Sequence, residues 1–332
     1  MKIKPIKSPL PPMLFFNIIL LTLFLPFSHV YADENGRFHP YKDNEVLIVQ
    51  QTSGGDEKAL AGNFSFRYDF FNCSNKPGKF LKQTLCPAQN VGGMNFFVSY
   101  TTAFDFYMYE TGNDTVRASK PIINRLNNPA IHFVWENTDL SQAIGWWGVN
   151  FEHRSNGQVI SADLKNTVGE YLTQIEYNQG KHEYFDALSR SGNYITLALG
   201  GKGLTDQGTF SIGYKIYVLQ QDEEASITWG PLAGTQTKFS DFDRITLSFT
   251  ERFDEPIFRS VLDSIGMGLD FTVGDRGLSD ASVDLKITIL SGSKSDSWSI
   301  PWYLKIHNGP MERLSDYSTP YYSIGLGIDF DY

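Results

Sequence analysis

The residues of this chain best suited to catalysis are His153 and Ser155, which lie two positions apart after Val149 and Phe151. Successive side chains of a β-strand point to opposite sides, so residues two apart share a face, roughly 6.5–7 Å apart along the backbone. In a strand, all four of these side chains would therefore lie on one face. A serine and a histidine so placed can come within hydrogen-bonding reach, as a nucleophile and its general base require. The segment predicts a hydrolytic site on an otherwise apolar strand face.

A third polar residue interrupts an apolar row in the next predicted strand. Asn193 shares a face with the alternate apolar residues that follow it up to Leu199. Since one connection joins the two strands, they should be neighbours, and Asn193 can then lie beside His153. Its amide oxygen could accept the Nδ1–H bond and fix the imidazole, as the acidic member of a catalytic triad does. We therefore predict Ser155 as nucleophile, His153 as general base and then acid, and Asn193 as the orienting residue.

The first 32 residues have the pattern of a secretory signal peptide. Lysines precede an apolar run over 13–27, and Ala32 ends a small-residue cleavage pattern. The run is shorter than the roughly 20 residues of a transmembrane helix. We predict residues 1–32 as a signal peptide and 33–44 as a periplasmic N-terminal segment; an uncleaved N-terminal anchor is the alternative.

Composition narrows the class of the exported chain. The net charge of −9 argues against a nucleic-acid-binding protein, and removing the signal lysines makes it more negative. Aromatic residues make up 14% of the chain, and no apolar run after residue 32 is long enough for a membrane helix. The remaining classes are a soluble β-protein and a transmembrane β-barrel.

The strand pattern favours the barrel. From Tyr322 to Tyr332, apolar and polar residues alternate, and the strand ends on an aromatic. Strands of roughly 9–11 residues with one apolar face suit a barrel in lipid, whereas a soluble sandwich would bury such rows in a dry core. We predict an all-β fold, a 12-stranded antiparallel transmembrane β-barrel over 45–332 with short periplasmic turns and longer external loops. The predicted strands are 45–52, 62–71, 94–108, 130–137, 143–155, 190–200, 208–220, 240–252, 260–273, 282–291, 296–307 and 321–332.

An even strand number allows both ends of the barrel to be periplasmic. The Ser155 end of its strand then lies at the cell surface, and residues 156–189 form a long external loop. The only cysteines, Cys73 and Cys86, would lie on the periplasmic side, and in an exported chain they are interpreted as a disulfide. Free thiols with a catalytic role are the alternative.

Two motifs carry a resemblance to a known family. One is His153-Arg154-Ser155-Asn156-Gly157, and the other is Ser189-Arg190-Ser191-Gly192-Asn193. With further matches near 38–52 and 119–129, the chain resembles the bacterial outer-membrane phospholipase A family. That resemblance implies a twelve-stranded barrel with a Ser-His-Asn triad facing the lipid, activated by calcium and by dimerisation.

Carried over by position, the resemblance implies further roles. Gly157 would supply a backbone N–H to the oxyanion, and Ca²⁺ would be bound by Ser189, the carbonyl of Gln158, and Ser119 across a homodimer interface. Oxygen ligands suit this hard cation. The implied function is an outer-membrane phospholipase of A1/A2 and lysophospholipase type, acting on membrane phospholipids from the outer-leaflet side through an acyl-enzyme. The alternative is a catalytically inactive outer-membrane barrel that acts as a pore or adhesin.

Overall fold

A computed structural model describes the chain over most of its strands and part of its connections. The described residues are 37–51, 57–72, 93–109, 123–137, 144–157, 165–170, 172, 175, 189–218, 237–253, 264–291, 300–312, 314 and 317–330. The chain divides into a unit Met1–Phe38, of which only residues 37 and 38 are described, and a unit His39–Tyr332. The predicted signal peptide, Cys73, Cys86, Ser119, Gln158 and most of the 156–189 loop lie outside the described residues.

Thirteen strands are formed by the described residues. They are β1 Phe38–Pro40, β2 Glu45–Gln51, β3 Glu57–Asn72, β4 Gly93–Tyr109, β5 Ile123–Glu136, β6 Trp146–Ser155, β7 Ser191–Lys202, β8 Thr209–Val218, β9 Ile245–Phe253, β10 Ser264–Val273, β11 Ser282–Ser291, β12 Ile300–Gly309 and β13 Tyr321–Asp329.

Twelve of these strands close into an antiparallel barrel. Each strand from β2 to β13 pairs with the next one along the chain, and β13 pairs with β2, which leaves no free edge among them. The short strand β1 pairs with β3 and is not one of the twelve strands of this ring. The predicted fold class and the number of barrel strands are confirmed. Among the described residues, no helix is long and apolar enough to cross a membrane.

The two faces of the strands have opposite character. Most apolar side chains of the strands point outward and remain well exposed, whereas most polar side chains point inward and are buried. This is the inverse of a soluble protein and matches a barrel surrounded by lipid. The exposed row includes Ile48, Phe64, Ile131, Phe151, Leu197, Ile212, Leu247, Leu269, Trp302 and Leu326. The buried polar set includes Glu45, Asp69, Asp105, Asn128, His132, Thr196 and His307. A small apolar cluster of Leu47, Val49, Ala61 and Tyr303 is also buried.

Several predicted strand limits were wrong. Strand β5 begins at Ile123 rather than 130, because it runs through Pro129, and β3 begins at Glu57 rather than 62. Residues 240–244 are not strand, since Phe239–Asp241 form a 3₁₀ turn before β9. The pattern also missed β1, which lies in the predicted N-terminal segment.

Candidate active site

The pairing of β6 with β7 brings the three predicted triad positions to one end of the barrel. His153 lies opposite Asn193, and Ser155 lies opposite Ser191. The imidazole Nδ1 of His153 is 2.9 Å from the amide oxygen Oδ1 of Asn193. An amide oxygen only accepts hydrogen bonds, so Nδ1 carries a proton, and in the neutral imidazole the lone pair is then on Nε2. This is the tautomer that a general base needs.

The alternation of β6 sets the side on which this pair lies. Phe151, two residues before His153, is 48% exposed on the outer surface. His153 and Ser155 belong to the same row, and both side chains are partly buried. On β7, Leu197 is likewise exposed in the row of Asn193, whereas the intervening Tyr194 is buried. The three polar side chains, His153, Ser155 and Asn193, therefore belong to the apolar, outward face of the barrel.

A reciprocal contact joins the two chain segments just beyond these strands. The backbone N–H of Asn156 donates to the carbonyl of Arg190 at 3.1 Å, and the backbone N–H of Arg190 donates to Asn156 Oδ1 at 2.9 Å. Both residues are almost fully buried. Gly157 follows with φ of +63°, a conformation that suits glycine. The contact brings Gly157 and Ser189, each next to one of its partners, to the base of the same connection.

On the inner side, Arg154 ends in a buried ion-pair cluster. Its Nη1 is 2.7 Å from Asp243 Oδ2, and Lys215 Nζ lies 2.6 Å and 2.7 Å from the two oxygens of the same carboxylate. Tyr217 also donates to Asp243, at 3.1 Å. Burial raises the pKa of Asp243, but the Lys215 and Arg154 cations outweigh burial and hold that pKa well below its usual range. The cluster is attached on the inner side of β6 through Arg154, the residue between His153 and Ser155.

A second inner network reaches the backbone of the candidate base. Asn128 Nδ2 is 3.1 Å from the carbonyl oxygen of His153 and 3.0 Å from the hydroxyl of Tyr194. Tyr194 in turn donates to Glu152 Oε2 at 3.0 Å, and Thr196 donates to Glu152 Oε1 at 2.7 Å. Sequence reasoning missed Asn128 and Asp243 as neighbours of the site, because they come from β5 and from the connection before β9. The dipeptide Asn128-Pro129 was the one sequence feature that could have drawn attention to Asn128.

One cluster among the described residues has the composition of a metal site. Asp284, His307 and Glu312 direct oxygen and nitrogen atoms to within 4.8 Å of one another. His307 Nδ1 lies 3.0 Å and 3.2 Å from the two carboxylates, and Nε2 lies 2.9 Å from the carbonyl of Gly309. Both ring nitrogens thus face oxygen atoms, which suits a protonated imidazole held by ion pairs. The predicted calcium ligands are different residues, of which only Ser189 is described.

Solved structures of outer-membrane β-barrels match this chain. No protein-family profile and no curated protein match it in sequence. Outer membrane phospholipase A from Escherichia coli superposes with a TM-score of 0.55 at 11% identity, covering 90% of this chain and 94% of the other. An active-site mutant of that protein gives 0.56 at 10% identity over the same shares.

The Salmonella typhi outer membrane phospholipase, solved as a dimer with bound calcium, also gives a TM-score of 0.56 at 10% identity, over 90% of this chain and 94% of the other. At such low identities the likeness establishes the fold. This chain therefore has an outer-membrane phospholipase fold.

Proposed function

We propose that this protein is an outer-membrane phospholipase that hydrolyses fatty-acyl ester bonds of glycerophospholipids. The observation that carries the proposal is the 2.9 Å contact between His153 Nδ1 and Asn193 Oδ1 on the outward face, with Ser155 two residues away in the same row. A hydrogen-bonded imidazole is unusual on a lipid-facing strand, because polar groups there are costly. A lipid substrate reaches this face by lateral diffusion, so an outward site needs no tunnel.

The reaction follows from the roles of these side chains. Ser155 Oγ attacks the ester carbonyl carbon while His153 Nε2 takes the hydroxyl proton. Collapse of the tetrahedral intermediate breaks the acyl C–O bond, and the imidazolium returns the proton to the leaving lysophospholipid oxygen. Water then repeats the sequence on the acyl-enzyme and releases the fatty acid. Asn193 keeps the Nδ1 proton in place throughout, and the backbone N–H of Gly157 is the proposed oxyanion donor.

The proposed calcium site uses Ser189, the carbonyl of Gln158 and Ser119 of a second copy. The Asn156–Arg190 contact supports it, since it holds Ser189 at the same loop base as Gly157, the residue before Gln158. Hydroxyl and carbonyl oxygens are the ligand type that Ca²⁺ prefers. When bound, the ion would supply positive charge near the developing oxyanion. We also propose that two copies associate through their outward faces and that the Ser155 end of the barrel faces the outer leaflet.

The decisive experiment compares wild type with Ser155→Ala in mixed phospholipid–detergent micelles, with and without added Ca²⁺. We expect calcium-dependent release of fatty acid from wild type only. We expect both proteins to show the same heat-modifiable gel migration, because the change removes one outward hydroxyl and no interior contact. The proposal fails if folded wild type releases no more fatty acid than Ser155→Ala.

The inner ion-pair network argues against the pore alternative. Arg154 and Lys215 are each bound to Asp243, and all three side chains are largely buried inside the barrel at the Ser155 end. Charged side chains that are paired and buried in this way occupy this part of the interior, whereas those lining an open channel would face water. No observation favours an adhesin over the enzyme.

A further inference from the structure

The ladder between β5 and β6 is interrupted next to the candidate base. Asn127 pairs with Ser155 and Ala130 pairs with Glu152, but Asn128 and Pro129, both described, pair with nothing on β6. On its other side β5 stays in register with β4 through this point, where Tyr100 pairs with Pro129. Proline has no N–H to donate. The register places Pro129 opposite His153, so the missing donor is the one that would have bonded the His153 carbonyl.

A side chain supplies the bond that the backbone cannot. Asn128 Nδ2 is 3.1 Å from the His153 carbonyl oxygen and 3.0 Å from the Tyr194 hydroxyl oxygen, so each of its two N–H groups has an acceptor. Asn128 and Tyr194 are each only 3% exposed. The Tyr194 hydroxyl accepts from Asn128 and donates to Glu152, so donors and acceptors are consistently matched along the chain of bonds.

This one amide touches both strands that carry the proposed catalytic pair. It bonds the backbone of His153 on β6, and on β7 it bonds the side chain of Tyr194, the residue next to Asn193. The carbonyl of a residue moves with its Cα, so a free carbonyl would let the imidazole shift relative to Ser155 and Asn193. A displacement of about 1 Å in an active site can cost roughly 100-fold in rate.

We propose that Asn128 is a positioning residue for the reaction, replacing the ladder hydrogen bond that Pro129 removes and so fixing the imidazole of His153. This inference rests on the proposed function. It assigns Asn128 no contact with substrate or with the reacting atoms.

The test is a cycle of Asn128→Ala, Pro129→Ala and the double variant, with kcat and KM measured on mixed micelles containing Ca²⁺. We expect Asn128→Ala to lower kcat about tenfold with little change in KM, because substrate binds on the outer face. Pro129→Ala alone should leave kcat near wild type. In the double variant, the new N–H of residue 129 can donate to the His153 carbonyl, and we expect kcat to return to within about threefold of wild type.

A matched control is Ser99→Ala, which removes another buried interior hydrogen bond, 2.7 Å long, between β4 and His132. It should leave kcat unchanged, which separates positioning from a general loss of stability. If Asn128→Ala does not fold, Asn128→Ser retains a polar group but is too short to reach His153, and the same kcat loss and rescue are expected.

The outcomes separate the two proposals. Active wild type with wild-type kcat in folded Asn128→Ala, or a kcat loss that Pro129→Ala does not reverse, overturns the positioning role and leaves the phospholipase proposal intact. Folded wild type with no more activity than Ser155→Ala overturns both.

Discussion

At the residue scale, the imidazole of His153 is held from two sides. Asn193 accepts from Nδ1 at 2.9 Å, and Asn128 donates to the backbone carbonyl at 3.1 Å. The first contact sets the tautomer, and the second fixes the backbone from which the ring projects. A neutral asparagine costs less beside lipid than an aspartate, which fits an outward-facing site.

His153 and Asn193 should therefore contribute unequally to the rate of hydrolysis. We expect His153→Ala to abolish phospholipid hydrolysis, because the proton acceptor is lost. Asn193→Ala should lower kcat by less, about 100-fold, since the base remains but is free to rotate. Initial rates of fatty-acid release measure both. Wild-type activity in Asn193→Ala would remove Asn193 from the site.

The sequence predicted these residues because strand alternation is a local pattern. The interruption of two apolar rows at His153, Ser155 and Asn193 is visible without coordinates, and so is the expected neighbour relation of their strands. The interior partners were not predictable in this way. Arg154 and Asp243 are separated by 89 residues, and nothing in either segment indicates that they meet.

At the element scale, β5 is the strand whose start was predicted wrongly from local sequence rules. A proline usually ends a strand or restricts it to an edge, so the sequence pattern began this strand only after Pro129. The structure carries β5 back to Ile123, because β5 stays paired with β4 through Pro129, while the Asn128 side chain bonds the His153 carbonyl on the β6 side. Pro129, which led to the wrong strand limit, is thus also the residue that leaves the His153 carbonyl without a backbone donor from β5.

The connection that carries Asp243 anchors β6 and β8 from inside. We expect Asp243→Asn to lower the free energy of unfolding by about 3–5 kcal/mol, because two buried cations lose their counter-charge. Urea unfolding in detergent micelles measures the change.

Asp275→Asn is the matched control, since Asp275 pairs with Arg244 nearby but is 48% exposed. Exposed pairs contribute at most about 1 kcal/mol, so this variant should unfold near the wild-type midpoint. Equal losses in the two variants would mean that the interior cluster is not specially stabilising.

At the scale of the whole molecule, the described strands turn mainly apolar side chains outward and mainly polar side chains inward. The sequence predicted this inversion and the twelve strands of the ring from period-two alternation, which is a strong signal when it recurs around a closed barrel. It did not predict the added strand β1, because three residues are too few to show a period.

The outward band should tolerate charge poorly. Leu326 on β13 is 57% exposed, yet Leu326→Lys should cost about 2–4 kcal/mol in a bilayer, because the ammonium would face hydrocarbon. Leu278 is 77% exposed but lies in a connection, so Leu278→Lys should change stability by less than about 0.5 kcal/mol. Unfolding titrations in lipid vesicles compare the two, and a harmless Leu326→Lys would contradict a lipid-facing wall.

The most direct test of Ser155 as the nucleophile is covalent labelling of the folded barrel in detergent with a fluorophosphonate that reacts with activated serines, followed by peptide mapping. We expect Ser155 to be modified in the presence of Ca²⁺ and His153→Ala to abolish the modification, because only a serine with a working base attacks the reagent. Labelling at other serines but not at Ser155, or labelling of Ser155 that persists without His153, would contradict this role of Ser155.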